Sequence, residues 1–252
     1  MDNRKVKELE IIAAKIRLNG LDAINCAASG HVGGAFSITD ILTVLFFNTM
    51  RNLDTANPKN PDRDRFVMSK GHCTAALYPT LALRGFFPVE DLKTFRHIDS
   101  YLSGHAEMNH VPGVDMSTGS LGQGLSNAVG MALAGKQDAK SYRVFCAMGD
   151  GEIQEGQIWE AAMCASKFKL DNLVGIVDYN RLQIDGTIDE IMPLEPLGDK
   201  WASFGWNVIH IDGHNIERIE EAFKAAENYK GKPTVIIAHT VKGKGVSFME
   251  IM

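Results

Sequence analysis

Apolar residues in the first part of the chain recur at intervals of three and four. Val6, Leu9, Ile12, Ala13 and Ile16 fall on one face and predict a first helix over residues 6–28. Ser37, ahead of Ile38, Asp40, Leu42 and Leu45, reads as the cap of a second helix. A third is expected after Gly71, and Pro88 suits the first position of a fourth. From Arg143 the rhythm changes. Residues 144–148, 173–177, 208–211 and 234–238 are short, continuous apolar runs, and helical patterns over 155–168 and after Asn215 lie between them. Buried strands alternating with helices predict an α/β fold, a parallel sheet flanked by helices on both faces. Ligands of such sheets bind at the carboxyl ends of the strands. The residues that follow Met148 and Val177 are therefore where chemistry is expected.

Composition narrows the class without naming a function. The 252 residues show no repeat, low-complexity tract or linker, so one domain over 1–252 is expected. Hydrophobic residues at 45% and charged residues at 23% are ordinary for a folded chain. A net charge of −5 argues against a phosphate-tracking nucleic-acid surface, and the basic stretch at 242–244 is too short to change that. Cys26, Cys73, Cys146 and Cys164 form no C-x-x-C pair and sit among apolar or small residues, as buried thiols of a reducing, cytoplasmic setting would. The N-terminus lacks an apolar core of signal-peptide length, and no run is expected to reach the about 20 apolar residues of a membrane span.

The two expected strand ends carry Gly149-Asp150-Gly151 and Asp178-Tyr179-Asn180. Asp150 and Asn180 leave neighbouring strands, so their oxygens can converge on one hard cation such as Mg²⁺, which favours oxygen ligands and is commonly shared with a phosphate. The glycines let backbone amides approach a diphosphate, and the following helix offers its positive N-terminal end. Taken alone, G-D-G is a common tight turn. The asparagine at the next strand end is what favours a metal-bridged diphosphate. Other phosphate motifs fail: Gly122-Gln123-Gly124 has Asn127 where a third glycine belongs, and residues 241–245 lack Walker A spacing.

The G-D-G…N pairing resembles the signature of thiamine-diphosphate enzymes, and further motifs narrow the resemblance to the transketolase family. They are Gly30-His31 with Gly33, Ser69-Lys70-Gly71-His72, Gly104-His105-Ala106-Glu107, the 118–124 stretch T-G-S-L-G-Q-G, G-D-G-E-I-Q-E-G at 149–156 and D-Y-N-R-L-Q-I-D-G at 178–186. Together they resemble the family's N-terminal, diphosphate-binding (PP-type) domain over essentially the whole chain. The resemblance implies thiamine diphosphate and Mg²⁺, or Ca²⁺ or Mn²⁺, as cofactors. Asp150, Asn180 and the backbone oxygen of Leu182 are the implied metal ligands. Gly149 and Gly151 would meet the diphosphate together with Asn180, and His72 and Lys242 its charged end. Gly119, Ser120 and Leu121 would lie along the aminopyrimidine. His31 and His105 would hydrogen-bond sugar hydroxyls and assist proton transfer, and Glu155 would join a carboxylate network where subunits meet. Imidazoles suit ketol transfer, because they titrate near neutrality and both accept and donate protons. His97, His210, His214 and His239 are read as structural, His214 serving the turn after Asp212-Gly213, and His110 is left unassigned.

Val32 and Ala106 stand where the family usually has proline, which leaves both loops less stiff. Family members continue past the Lys242-Gly243 loop to a W-H-G element, which this sequence does not contain. Nor does it contain the pyrimidine-binding and C-terminal domains. The resemblance therefore implies a partner subunit carrying them, self-association across a dimer interface, and assembly as a two-plus-two heterotetramer acting on sugar phosphates. Alternatives within the enzymes are a deoxyxylulose-phosphate-synthase-like subunit or a transketolase for an unusual sugar. A cofactor-binding homologue without turnover is the alternative outside them.

Overall fold

The computed structural model describes residues 1–184 and 186–250. Asp185, within the 178–186 motif, and the two residues at the end of the chain lie outside the described residues. Eight α-helices and seven strands are described: α1 (Asn3–Ala27), α2 (Val32–Val44), β1 (Arg65–Met68), α3 (Thr74–Arg84), α4 (Gln123–Gln137), β2 (Val144–Gly149), α5 (Gly156–Lys167), β3 (Leu173–Tyr179), β4 (Leu182–Gln183), β5 (Gly186–Thr187), α6 (Ile188–Ile191), α7 (Leu197–Ser203), β6 (Asn207–Asp212), α8 (Ile216–Asn228) and β7 (Thr234–His239). Five strands form one sheet in the order β1-β2-β3-β7-β6, every pairing parallel, and β4 and β5 make a small antiparallel hairpin.

The central strands β2, β3 and β7 are buried on both faces, the edge strand β6 is only partly covered, and the period-two alternation divides the core. Phe145, Ala147, Val174, Ile176, Ile236 and Ala238 join a cluster with α1, α2, α3 and α8. Val144, Cys146, Met148, Val177, Val235 and Ile237 join a second with α4, α5 and α7. The parallel sheet with helices on both faces is thus the arrangement the apolar pattern predicted.

Several local expectations differ from what forms. The second helix begins at Val32 rather than after Ser37, with His31 as its N-cap residue. Ser37 lies inside it, and its hydroxyl donates to Asp178, with Gly34 O a longer 3.1 Å away, so the hydroxyl serves the interior rather than a helix end. Pro88 precedes a short 3₁₀ turn, Val89–Thr94, not an α-helix. Strand β1 and helix α4 fall in stretches that carry glycine-rich motifs and no clear periodicity, so neither was expected. The run Val32–Thr49 is 18 residues long with mean hydropathy 1.4, enough by composition for a membrane span, contrary to expectation; 67% of it is buried among the other helices, which is where its apolar residues go. Of the four cysteines, Cys73 and Cys146 are buried, Cys164 is half-buried and Cys26 is exposed.

Val32 occupies the first helical position, where proline's fixed φ fits and its missing N–H costs nothing. His31 before it has φ −110° and ψ 91°, an extended conformation that a following proline favours. Val32→Pro is expected to stabilise the chain by about 0.4–1 kcal/mol, chiefly by restricting the unfolded state. Urea unfolding of both chains checks it.

Candidate active site at the carboxyl edge of the sheet

All five parallel strands end on one edge, and each end delivers a polar side chain there. β1 leads into Ser69 and Lys70, β2 into Asp150, β3 into Asn180, β7 into Thr240 and, further on, Lys242, and β6 into His214. Registry aligns Gly149 with Asp178 and Asp178 with Ala238, so these exits lie side by side.

Beneath the edge sits an ion pair. The Lys70 ammonium bonds the Asp178 carboxylate and donates to Gly34 O at 2.8 Å. Ser37 donates to the same Asp178 oxygen and Thr240 to the other. Lys70 is 2% and Asp178 0% exposed, so each depends on the other for its counter-charge. Burial opposes the lysine's charge, but Asp178 outweighs it and holds the ammonium protonated well above its usual range. A second buried carboxylate, Glu152, accepts from the Ser69 hydroxyl and, at 3.0 Å each, from the amides of Gly122 and Gly149. It ties the end of β1, the loop before α4 and the end of β2 together. Burial raises its pKa.

Asp150, 3% exposed, differs from Asp178 in having no ion-pair partner among the described residues. Its oxygens accept from the amides of Gly151, at 2.8 Å, and Arg181. Burial first, and then the charge of Asp178, push its pKa up to about 6. A buried carboxylate held this way fits a cation bound from outside, which would discharge it. Arg181 turns the chain with φ +62°, a left-handed conformation that aims its amide at Asp150. Asn180 Oδ1 accepts from Leu182 N at 3.1 Å, and Lys242 Nζ lies 3.5 Å from Leu182 O. Asp150, Asn180 and Leu182 therefore form one hydrogen-bonded patch with Lys242 at its margin. Among the described residues no three His, Cys, Asp or Glu side chains form a metal cage; the patch instead offers one carboxylate, one carboxamide and one backbone carbonyl. Such a set suits a hard cation that completes its shell from phosphate and water. The Gly151 amide, expected to meet the diphosphate, here caps Asp150.

The three histidines expected to act together do lie together. His31 stands 5.0 Å from His72 and 6.5 Å from His105 between ring centroids. His31 and His105 are exposed at the rim and His72 is half-buried behind them. Burial, then the charge of Lys70 and the other imidazoles, pull the His72 pKa down to about 3, so this ring is neutral throughout the physiological range. Burial, Arg96 and His105 lower that of His31. Gly119, with φ +148°, packs on His105, where a Cβ would come within 2.9 Å of the ring. Ser120 and Leu121 follow, both exposed. Ala106 donates its amide to Gly71 O at 3.2 Å, a bond proline could not make. Glu155 stands apart from the imidazoles, exposed beside Gly122 at the start of α5.

Sequence reasoning missed Lys70, Asp178 and Glu152 as structural determinants of the site. A charge inside the apolar run 173–179 was the available signal for Asp178, because a buried strand tolerates one only when it is paired.

Nearly the whole chain resembles known proteins in sequence and in fold. A family profile described as "Transketolase, thiamine diphosphate binding domain" matches residues 9–250. A 6-deoxy-6-sulfo-D-fructose transketolase subunit from Clostridium sp. is 50% identical over 96% of this chain and 88% of its own length. An apulose-4-phosphate transketolase subunit from Phocaeicola vulgatus is 47% identical over 98% of this chain and 87% of its own. Among solved structures, transketolase from Leishmania mexicana superposes with a TM-score of 0.92 at 34% identity, covering 96% of this chain but 38% of that one.

Two outcomes test the site's electrostatics. Lys70→Met strands a buried carboxylate and is expected to cost about 3–5 kcal/mol in urea unfolding, much of it regained in the Lys70→Met/Asp178→Leu double variant. His72, lowered from 6.5 to about 3, resists protonation only in the folded state. Its contribution is therefore full above the unfolded value and is lost as pH falls from 6.5 towards 3. Thermal midpoints of His72→Gln are expected to fall less steeply than the parent's across that window.

Proposed function

Because this chain belongs to the transketolase family, as its thiamine-diphosphate-binding N-terminal domain, we propose that it is one subunit of a two-chain transketolase. The observation that carries this is the presence of both the Asp150–Asn180–Leu182 patch and three clustered histidines at the carboxyl edge of one sheet. The high coverage of two relatives that are themselves named as transketolase subunits supports the two-chain form. The chain spans 38% of the Leishmania transketolase; in the proposed two-chain form the partner would supply the pyrimidine-binding and C-terminal parts. Two copies of each chain would pair across a shared interface, with exposed Glu155 at that contact.

In this reading Asp150, Asn180 and the Leu182 carbonyl hold Mg²⁺, or Ca²⁺ or Mn²⁺, against the diphosphate. Gly149, Gly151 and Lys242 face its charged end, and Gly119, Ser120 and Leu121 lie along the aminopyrimidine. Thiamine diphosphate, when bound, supplies the carbon nucleophile and the electron sink for moving a two-carbon ketol unit. Neutral His72 gives a hydrogen-bonding group that adds no charge beside Lys70 and Lys242. His31 and His105, at the rim, hold the sugar's hydroxyls and move their protons. The Arg96 guanidinium, which approaches Gly104 so closely that a Cβ there would lie 3.1 Å from its Cζ, adds a positive charge beside them. That charge favours anionic sugars. The relatives' substrates, a sulfonated ketose and a ketose phosphate by their names, are of this kind, and a donor ketose with an anionic tail is the proposed class. A cytoplasmic setting is consistent with the four free cysteines.

The purified chain is expected to transfer no ketol unit by itself and to do so once its partner is added. Asp150→Ala and Asn180→Ala are each expected to weaken Mg²⁺-dependent thiamine diphosphate uptake by more than about tenfold in calorimetry. Uptake unchanged in both variants would remove the basis of this reading.

A further inference from the structure

His214 does serve its turn, its amide donating to Asp212 Oδ1 at 2.9 Å. Its ring is engaged elsewhere. Nε2 accepts the Val241 amide at 2.8 Å, and Nδ1 lies 2.7 Å from Asp40 Oδ2. A backbone amide can only donate, so Nε2 presents its lone pair and the ring proton sits on Nδ1, donated to Asp40. Asp40 is gripped in turn by the Arg17 fork, at 2.6 and 3.0 Å, and Arg17 also donates to Phe36 O at 3.1 Å. Burial alone would raise the Asp40 pKa, but the bonds from His214 and Arg17 bring it below its usual value. The carboxylate is therefore a fixed acceptor, which fixes the tautomer of the ring it faces.

The relay runs from α1 through α2 and the β6–α8 turn into the loop that carries Lys242. Thr240 is bound to Asp178, and Gly243 N donates to Gly33 O at 3.0 Å, so Val241 is the remaining anchor between them. The Lys242 stem lies flat on the start of α2: a Cβ at Gly33 would come 2.9 Å from Lys242 Cε. From there its Nζ reaches towards Leu182 O. We propose that His214 is a positioning residue for coenzyme uptake: as the neutral Nδ1–H tautomer, it holds the Val241 amide so that Lys242 is aimed at the diphosphate end of the site. This rests on the coenzyme reading above, but the tautomer does not.

Two measurements test it. Histidine ¹⁵N spectra of the chain alone, assigned by the signal lost in His214→Asn, are expected to show a protonated Nδ1 and a bare Nε2; a protonated Nε2 overturns the relay. In the complete enzyme with its partner, His214→Asn keeps a donor for Asp40 but loses the acceptor for Val241. It is expected to weaken thiamine diphosphate binding roughly tenfold, the scale of one lost hydrogen bond, with kcat at saturating coenzyme nearly unchanged. His214→Gln, whose amide oxygen reaches the Nε2 position, is expected to restore most of that affinity. Equal weakening in both variants, or no weakening in His214→Asn, contradicts the positioning role. A parent enzyme that binds no coenzyme would instead refute the coenzyme reading, while the spectra still decide the relay.

Discussion

The site rests on one interaction, the buried pair of Lys70 and Asp178. Two charges removed from water are costly, and their mutual attraction offsets that cost only where the remaining lone pairs and protons are also used. Here they are: Ser37 and Thr240 complete the carboxylate, and Gly34 O takes a further proton of the ammonium. The pair and its partners come from α2, the residues just after β1, β3 and the end of β7, four places far apart in sequence. The pair therefore does more than neutralise itself. It fixes the start of α2 against three strand ends, and so sets where His31, His72 and Asp150 lie.

The pair also divides the labour between two neighbouring aspartates. Asp178 has its counter-charge in Lys70, whereas Asp150 has two backbone amides and no cation among the described residues. The first is a structural anion and the second one that a metal ion can complete. On the other side, Glu152 joins the end of β1, the loop ahead of α4 and the end of β2 through one carboxylate. This is the preorganisation that a coenzyme-dependent site needs, because the coenzyme supplies the reactive atoms and the protein supplies placement and protons.

How much of this was legible in the sequence follows from the range of each interaction. Strands β2, β3, β6 and β7 declared themselves through continuous apolar runs, and α1, α5 and α8 through their spacing, because both signals are local. The motifs at Asp150 and Asn180 were visible because strand ends concentrate ligands. Ser37 was misread as a cap because its partner, Asp178, is 141 residues away, and no local pattern distinguishes a capping serine from one that bonds a distant carboxylate. Lys70 and Glu152 were hidden for the same reason. Helix α4 carries three glycines, Gly124, Gly130 and Gly135, and forms because Gly124 and Gly135 permit close packing on Ser69 and Tyr142, which propensity does not report. His214 was assigned to its turn correctly, but incompletely, since only the fold brings Val241 to its ring.

The proposed function of this edge requires that Asp150, Asn180 and Leu182 carry the divalent ion while Asp178 stays with Lys70. Anomalous diffraction from crystals of the two-chain enzyme grown with Mn²⁺ and thiamine diphosphate reads this out directly. The expected result is an anomalous peak bonded to the Asp150 carboxylate, Asn180 Oδ1 and the Leu182 carbonyl, with the Lys70–Asp178 pair intact. A peak on Asp178, or one away from both strand ends, would contradict this division of roles.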